Sequence, residues 1–163
     1  MKHKRLIASI GLVFCLILLC LPMFSHNLQA KKSTFRITNG TLYSYSGKSS
    51  SVTIPSGVKK ISSYAFHGNK MIKTVTIPKS VKIIGNGAFE DCTNLKTVTI
   101  RSGTKTIESY AFNNCKKLST ITIPKTVTTI MDNAFSNCKL LKKVVISSES
   151  ELLTIGNQAF SDC

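Results

Sequence analysis

The sequence predicts an α/β solenoid: five coils of about 23 residues, a parallel sheet on one face, short turn or helical segments on the other, and an N-terminal β-hairpin cap. Three observations predict it. Ala-Phe recurs at Ala65-Phe66, Ala88-Phe89, Ala111-Phe112, Ala134-Phe135 and Ala159-Phe160, with spacings of 23, 23, 23 and 25. An isoleucine closes a short alternating run at Ile54, Ile77, Ile100, Ile123 and Ile146, each 23 residues after the last. A unit this short cannot bury its own apolar face, so equivalent residues must stack, like over like.

Taken in order, residues 1–30 read as a secretory leader. Lys2, His3, Lys4 and Arg5 make a basic start, Leu6 to Leu21 is apolar apart from Ser9 and Gly11, Pro22 breaks the run, and Leu28-Gln29-Ala30 offers a small-residue cleavage site. An uncleaved membrane anchor is the alternative, because the apolar run approaches the roughly 20 residues that span a bilayer. Phe14 and Leu19 precede Cys15 and Cys20, where a lipidation site wants a small residue. In either case the remaining chain is placed outside the cytoplasmic membrane, secreted or at the cell surface.

Residues 31–47 form the cap, with Phe35-Arg36-Ile37, the turn Asn39-Gly40 and Leu42-Tyr43-Ser44-Tyr45 reading as strand, turn and strand. Residues 48–163 are the repeats. Each opens on a run such as Thr97-Val98-Thr99-Ile100, whose period of two and β-branched content predict a strand with Val and Ile inward. Pro55, Pro78 and Pro124 end three of these strands, and Arg101 and Ser147 stand in the same place in the others. Apolar residues follow four and seven positions on, as in Val58 with Ile61, Val81 with Ile84 and Val127 with Ile130. The two extra residues of the last unit fall within Ser147 to Leu153, a connection that tolerates insertion. The array ends at Cys163 without a capping element. Bare apolar surface is therefore expected from Ile155, Ala159 and Phe160, as in a truncated product or an end covered by self-association.

The pattern Cys92-x-x-Leu95-x-x-Val98-x-Ile100, followed by Ile107 and Ala111-Phe112-x-x-Cys115, resembles the BspA-like leucine-rich repeat of bacterial surface proteins, as does the NGTLYSYSG segment before the first VTIP. The resemblance covers about residues 34–163. It implies a right-handed leucine-rich-repeat solenoid and a role in adhesion or host contact. The cysteine here precedes the strand leucine by three positions, whereas the general leucine-rich pattern places Cys or Asn after the strand. The asparagine ladder of ordinary leucine-rich repeats therefore does not carry over.

The whole chain holds 22 Lys and Arg against 7 Asp and Glu. Without the leader the balance is 22 − 3 = 19 against 7, a net charge of +12. Such charge attracts polyanions in a salt-sensitive way. Single-strand nucleic acid binding also wants exposed aromatics for stacking, and the repeat aromatics are expected to be buried, so no nucleic-acid partner is predicted. The membrane is met only through the N-terminal segment.

Little in the chain points to catalysis. Cys92, Cys115, Cys138 and Cys163 each fall three residues after a Phe, where Asn69 stands in the first unit. Side chains at one position of stacked coils lie parallel, whereas a disulfide needs them to converge, and no C-x-x-C pair signals zinc. A structural ladder of buried thiols is the first reading; disulfide and metal are the others. His67 is the one histidine beyond the leader, and its counterparts are Glu90, Asn113, Ser136 and Ser161. It reads as a solvated corner. With no Ser-His-Asp set, paired carboxylates or phosphate loop, no enzyme, cofactor or metal is predicted.

The candidate site is the outward side of the strands. Thr74, Thr76, Thr97, Thr99, Thr120 and Thr122 would make a hydroxyl-rich platform, with Lys73, Lys96 and Arg101 on a basic rim. The expected function is binding or adhesion to an extracellular or host protein, or to an anionic glycan or wall polymer. The alternative is a scaffold fragment of a larger surface protein with no binding of its own.

Overall fold

Five units of matched sequence give five coils that build on one another through backbone hydrogen bonds between equivalent residues. The structure, a computed structural model, describes residues 34–163; the leader or anchor expected over residues 1–30 lies outside them. The described residues begin with a hairpin, β1 (Phe35–Thr38) and β2 (Thr41–Tyr45), turning through Asn39 and Gly40, both at positive φ. Each coil then adds a longer and a shorter strand. In order these are β3 (Ser51–Thr53) and β4 (Lys60–Ile61), β5 (Thr74–Ile77) and β6 (Ile83–Ile84), β7 (Thr97–Ile100) and β8 (Thr106–Ile107). The last two coils contribute β9 (Thr120–Ile123) and β10 (Thr129–Ile130), then β11 (Lys143–Ile146) and β12 (Thr154–Ile155).

The expectation of one sheet is corrected. The short strands form a seven-stranded sheet in the order β1-β2-β4-β6-β8-β10-β12, entered from the hairpin because β2 pairs with β4 in parallel. The long strands form two sheets, β3-β5-β7 and β9-β11. Pairing is in register, Thr76 beside Thr99 and Ile84 beside Ile107.

No helix occurs among the described residues, so the chain is a β-solenoid and the α/β class is not met. The reason is local. Tyr64, Gly87, Tyr110, Asn133 and Gln158, just before each Ala-Phe, sit at φ of 53–58°, and Gly68, Asp91, Asn114, Asn137 and Asp162 at 54–67°. A left-handed residue every fourth position stops any helical run. The segments instead close as successive turns, as in the hydrogen bonds from the amides of Ala65, His67 and Asn69 to the carbonyls three residues earlier.

Bonds between coils hold these unfavourable φ values in place. The amides of Phe66, Phe89, Phe112 and Phe135 donate to the carbonyls of Ala88, Ala111, Ala134 and Ala159 at 2.7–2.8 Å. Their rings stack with centroids 4.6–5.2 Å apart and nearly parallel planes, and Phe160 continues the column at 5.1 Å. Tyr45 meets Phe66 at 5.3 Å and Phe35 meets Tyr45 at 4.9 Å, so the hairpin carries the aromatic column one layer further. Around the column lie the inward Val and Ile of both strand sets and Ile72, Leu95, Leu118 and Leu141.

The last coil departs from the expectation in detail. Ile155 is exposed as predicted, together with Val144, Ile146 and, at 85%, Leu153. Ala159 is buried and Phe160 partly buried, because both lean on the coil below.

Candidate functional site

Alternation along β5, β7 and β9 sends valine and isoleucine into the core and threonine out, whereas Val144 and Ile146 of β11 are exposed. Thr97, Thr99, Thr120 and Thr122 are exposed, whereas Thr74 and Thr76 are half-buried. Lys73, Lys96 and Arg101 are exposed beside them, and none of the three has an ion-pair partner among the described residues. The six threonines lie on one side of the stack, but not on one sheet. Thr74, Thr76, Thr97 and Thr99 belong to the β3-β5-β7 sheet, Thr120 and Thr122 to β9-β11. A seam without ladder pairing therefore runs between the third and fourth coils. Val98 and Ile100 bordering it are 6% and 7% exposed, against 0% for Val75 and Ile77 one coil earlier.

The cysteines form a regular ladder. Each thiol of Cys92, Cys115, Cys138 and Cys163 donates to the carbonyl of the Phe one coil below, at 3.1–3.3 Å. All four are free thiols. Burial pushes Cys92 and Cys138 up to about 12 and Cys115 well above its ordinary range. A thiol held protonated in this way is a poor nucleophile and a poor metal ligand. Cys163 is exposed, unlike the other three, and burial raises it too.

The carboxylates are engaged in holding coils together. Glu90 accepts from the Asn113 amide at 3.0 Å and lies 3.5 Å from the His67 imidazole, which is 45% exposed and meets Tyr64 edge-on. Asp91 accepts from Asn114, Glu108 from the Asn86 backbone amide, and Asp132 from that of Asn157. Among the described residues no group of three or more His, Cys, Asp or Glu is placed to hold a metal ion.

Two features escaped the sequence reading. Thr104 takes the place of Val58, Val81 and Val127, yet it is fully buried; its hydroxyl donates to the Val81 carbonyl at 3.1 Å. Its carbonyl in turn accepts from the Thr126 hydroxyl, which also receives the Gly103 amide. Aligning the coils by their isoleucines exposes this Thr as the odd residue. The second feature is ionic. Glu149 and Glu151, on the longer last connection, reach back to Lys125 at 3.0 Å and Lys105 at 2.7 Å. No local pattern signals these pairs, because they join residues 24 and 46 positions apart.

A model of the BspA-type leucine-rich repeat region matches residues 36–163 in six copies. Similar solved structures are bacterial. A leucine-rich repeat protein of T. pallidum is 31% identical with a TM-score of 0.73, over 82% of this chain and 66% of that one. One from Bacteroides capillosus is 29% identical with a TM-score of 0.62, over 70% and 93%. A protein from Faecalibacterium prausnitzii, described as a leucine-rich cell-surface protein, is 28% identical with a TM-score of 0.55, over 79% and 50%. This chain thus spans just under two thirds of the first of these and half of the third. No curated protein matches it. The repeat period, the phenylalanine column and the family match agree: this chain belongs to the BspA-type leucine-rich-repeat family.

Proposed function

We propose that the chain is an exported interaction module that binds an extracellular protein or glycan through the threonine side of its long strands. The observation that carries this reading is the exposure of Thr97, Thr99, Thr120 and Thr122 on strands whose inward residues are locked in the core. The threonine hydroxyls are polar groups a ligand meets on this side, each both donor and acceptor. Rigid presentation limits the entropy lost on binding. The exposed Lys73, Lys96 and Arg101 favour an anionic partner and speed encounter with it. Export is supported by the leader-like residues 1–30 and by the similarity to the F. prausnitzii cell-surface protein. In this reading the hairpin is the cap of the first coil, supported by the Tyr45 ring on Phe66. The winding is right-handed, the hand that parallel crossovers take.

The test is a binding screen of the purified chain against extracellular-matrix proteins and a glycan panel, repeated with Thr99→Val/Thr122→Val, which removes the two hydroxyls without changing the charge. Saturable binding that this variant weakens by at least about tenfold is expected, as for central interface positions. Saturable binding left unchanged by the variant places the ligand elsewhere and removes the threonine face from the proposal.

A further inference from the structure

One cluster of charge lies away from the threonine strands. Lys59, Lys82 and Lys105 occupy the same position in three successive coils and are all exposed. Backbone bonds stack them directly: the Lys82 amide donates to the Lys59 carbonyl at 2.8 Å, and the Lys105 amide to that of Lys82 at 2.9 Å. Neighbouring parallel strands lie about 4.8 Å apart. Like charges set side by side at such spacing repel, so the column is unfavourable without an anion beside it. Lys79 and Lys125 flank it at the preceding corner, and neither Lys59, Lys79 nor Lys82 has an ion-pair partner among the described residues.

At the other end of the column the chain supplies its own anions. The Glu151 amide is fixed to the Lys125 carbonyl at 2.9 Å, and its carboxylate passes over the Thr128 coil to reach Lys105 at 2.7 Å. Glu149 pairs with Lys125 from the same connection. An acidic group lying along the stacking direction, two coils from the lysine it meets, shows where an external anion would run.

We propose that the Lys59–Lys82–Lys105 column is a track for a linear polymer of tetrahedral oxyanions, sulfate or phosphate, lying along the solenoid axis, and that Glu151 is a built-in competitor occupying its upper end. Lysine suits this ligand because an ammonium recognises an oxyanion as a point charge, without the bidentate geometry that arginine imposes. The polymer's repeating charge engages several rungs at once, where a single anion meets one exposed lysine and gains little. The threonine face takes no part, so this inference stands or falls separately from the function proposed above.

The experiment measures affinity of the purified chain for heparin fragments and for long-chain polyphosphate, at two salt concentrations. Three proteins are compared with the parent: Lys59→Gln/Lys82→Gln/Lys105→Gln, a control removing equal charge at exposed lysines that are not stacked in neighbouring coils (Lys48→Gln/Lys70→Gln/Lys139→Gln), and Glu151→Gln. The column variant is expected to bind at least about tenfold more weakly and to lose part of the salt dependence, and the control to change less than about twofold. Glu151→Gln is expected to bind two- to fivefold more tightly, on the order of what one exposed ion pair is worth. Circular dichroism and melting of each variant separate lost binding from lost fold. Binding of either polymer with this dependence supports the track and names the oxyanion. Equal weakening by column and control variants, or no binding of either polymer, overturns it. Unchanged or weaker binding by Glu151→Gln overturns the competitor.

Discussion

At the scale of the residue, the phenylalanine peptide joins three kinds of order in one place. Its amide bonds the coil above, its ring stacks on both neighbours, and its carbonyl takes the thiol of the next coil's cysteine. A carbonyl has two lone pairs, so the Phe66 oxygen serves both the Asn69 amide and the Cys92 thiol. The position of each cysteine, three residues after its Phe, is legible in the sequence; its partner, 26 residues back and 28 for Cys163, becomes visible only once the coils are stacked. This ladder carries a pH dependence. An unfolded thiol ionises at its ordinary 9.0, while Cys92 and Cys138 hold their protons to about 12. Below pH 9 both states keep the proton and the contribution to stability is whole. Above it only the unfolded chain is ionised, so each thiol costs about 1.4 kcal/mol of stability per pH unit until its folded value is reached. Urea unfolding at pH 8.0, 9.0 and 10.0 is expected to show this fall, and Cys92→Ala/Cys138→Ala to flatten it. Equal slopes for parent and variant count against the ladder.

At the scale of the element, the unexpected feature is the seam between β7 and β9. Alternating Thr and Val predict a strand in each coil, and each is there, but local pattern does not say whether neighbouring strands complete a ladder. That depends on how the coil between them closes. In the third coil Arg101-Ser102-Gly103-Thr104 replaces the Pro-x-x-Val of its neighbours, and Gly103 adopts φ +146° with its Cα so near Lys79 that a Cβ would meet the Lys79 carbonyl oxygen at 2.0 Å. Opening there is expected to be local and cheap. Hydrogen exchange should find amides of Thr97–Ile100 and Thr120–Ile123 facing the seam exchanging at least about tenfold faster than those of β8 and β10, which stay paired. Uniform protection across both sheets would show that the two long-strand sheets behave as one. The same local departure explains Thr104. A hydroxyl in a valine position is costly unless bonded, and here the Val81 carbonyl of the preceding coil accepts it.

At the scale of the whole molecule, stability is a sum over neighbouring coils, so a residue's worth depends on how many neighbours it has. Phe112 is fully buried between two rings, whereas Phe160 is partly buried and stacks on Phe135. Phe112→Ala should cost roughly 3–5 kcal/mol and Phe160→Ala about half of that, one face of the ring being unpacked. Chemical denaturation of the two variants measures this directly. Equal losses would mean that the terminal ring is packed as tightly as the central one. The exposed Val144, Ile146, Leu153 and Ile155 belong to the same account: inward-facing types at terminal positions, with no coil against them in the described structure.

The sequence by itself determined the period, the strand register and the identity of the main stacked columns, because a repeated spacing of 23, lengthened to 25 only within the last connection, places equivalent residues over one another whatever path the coil takes between them. It therefore indicated the phenylalanine spine, the cysteine ladder and the outward threonines. Only the tertiary structure decided that the second face is a seven-stranded sheet without helix, that the threonine face is divided by a seam, and that Glu151 returns to Lys105. Those outcomes follow from left-handed backbone angles held by bonds between coils and from side chains that cross more than one coil. Neither leaves a period in the sequence.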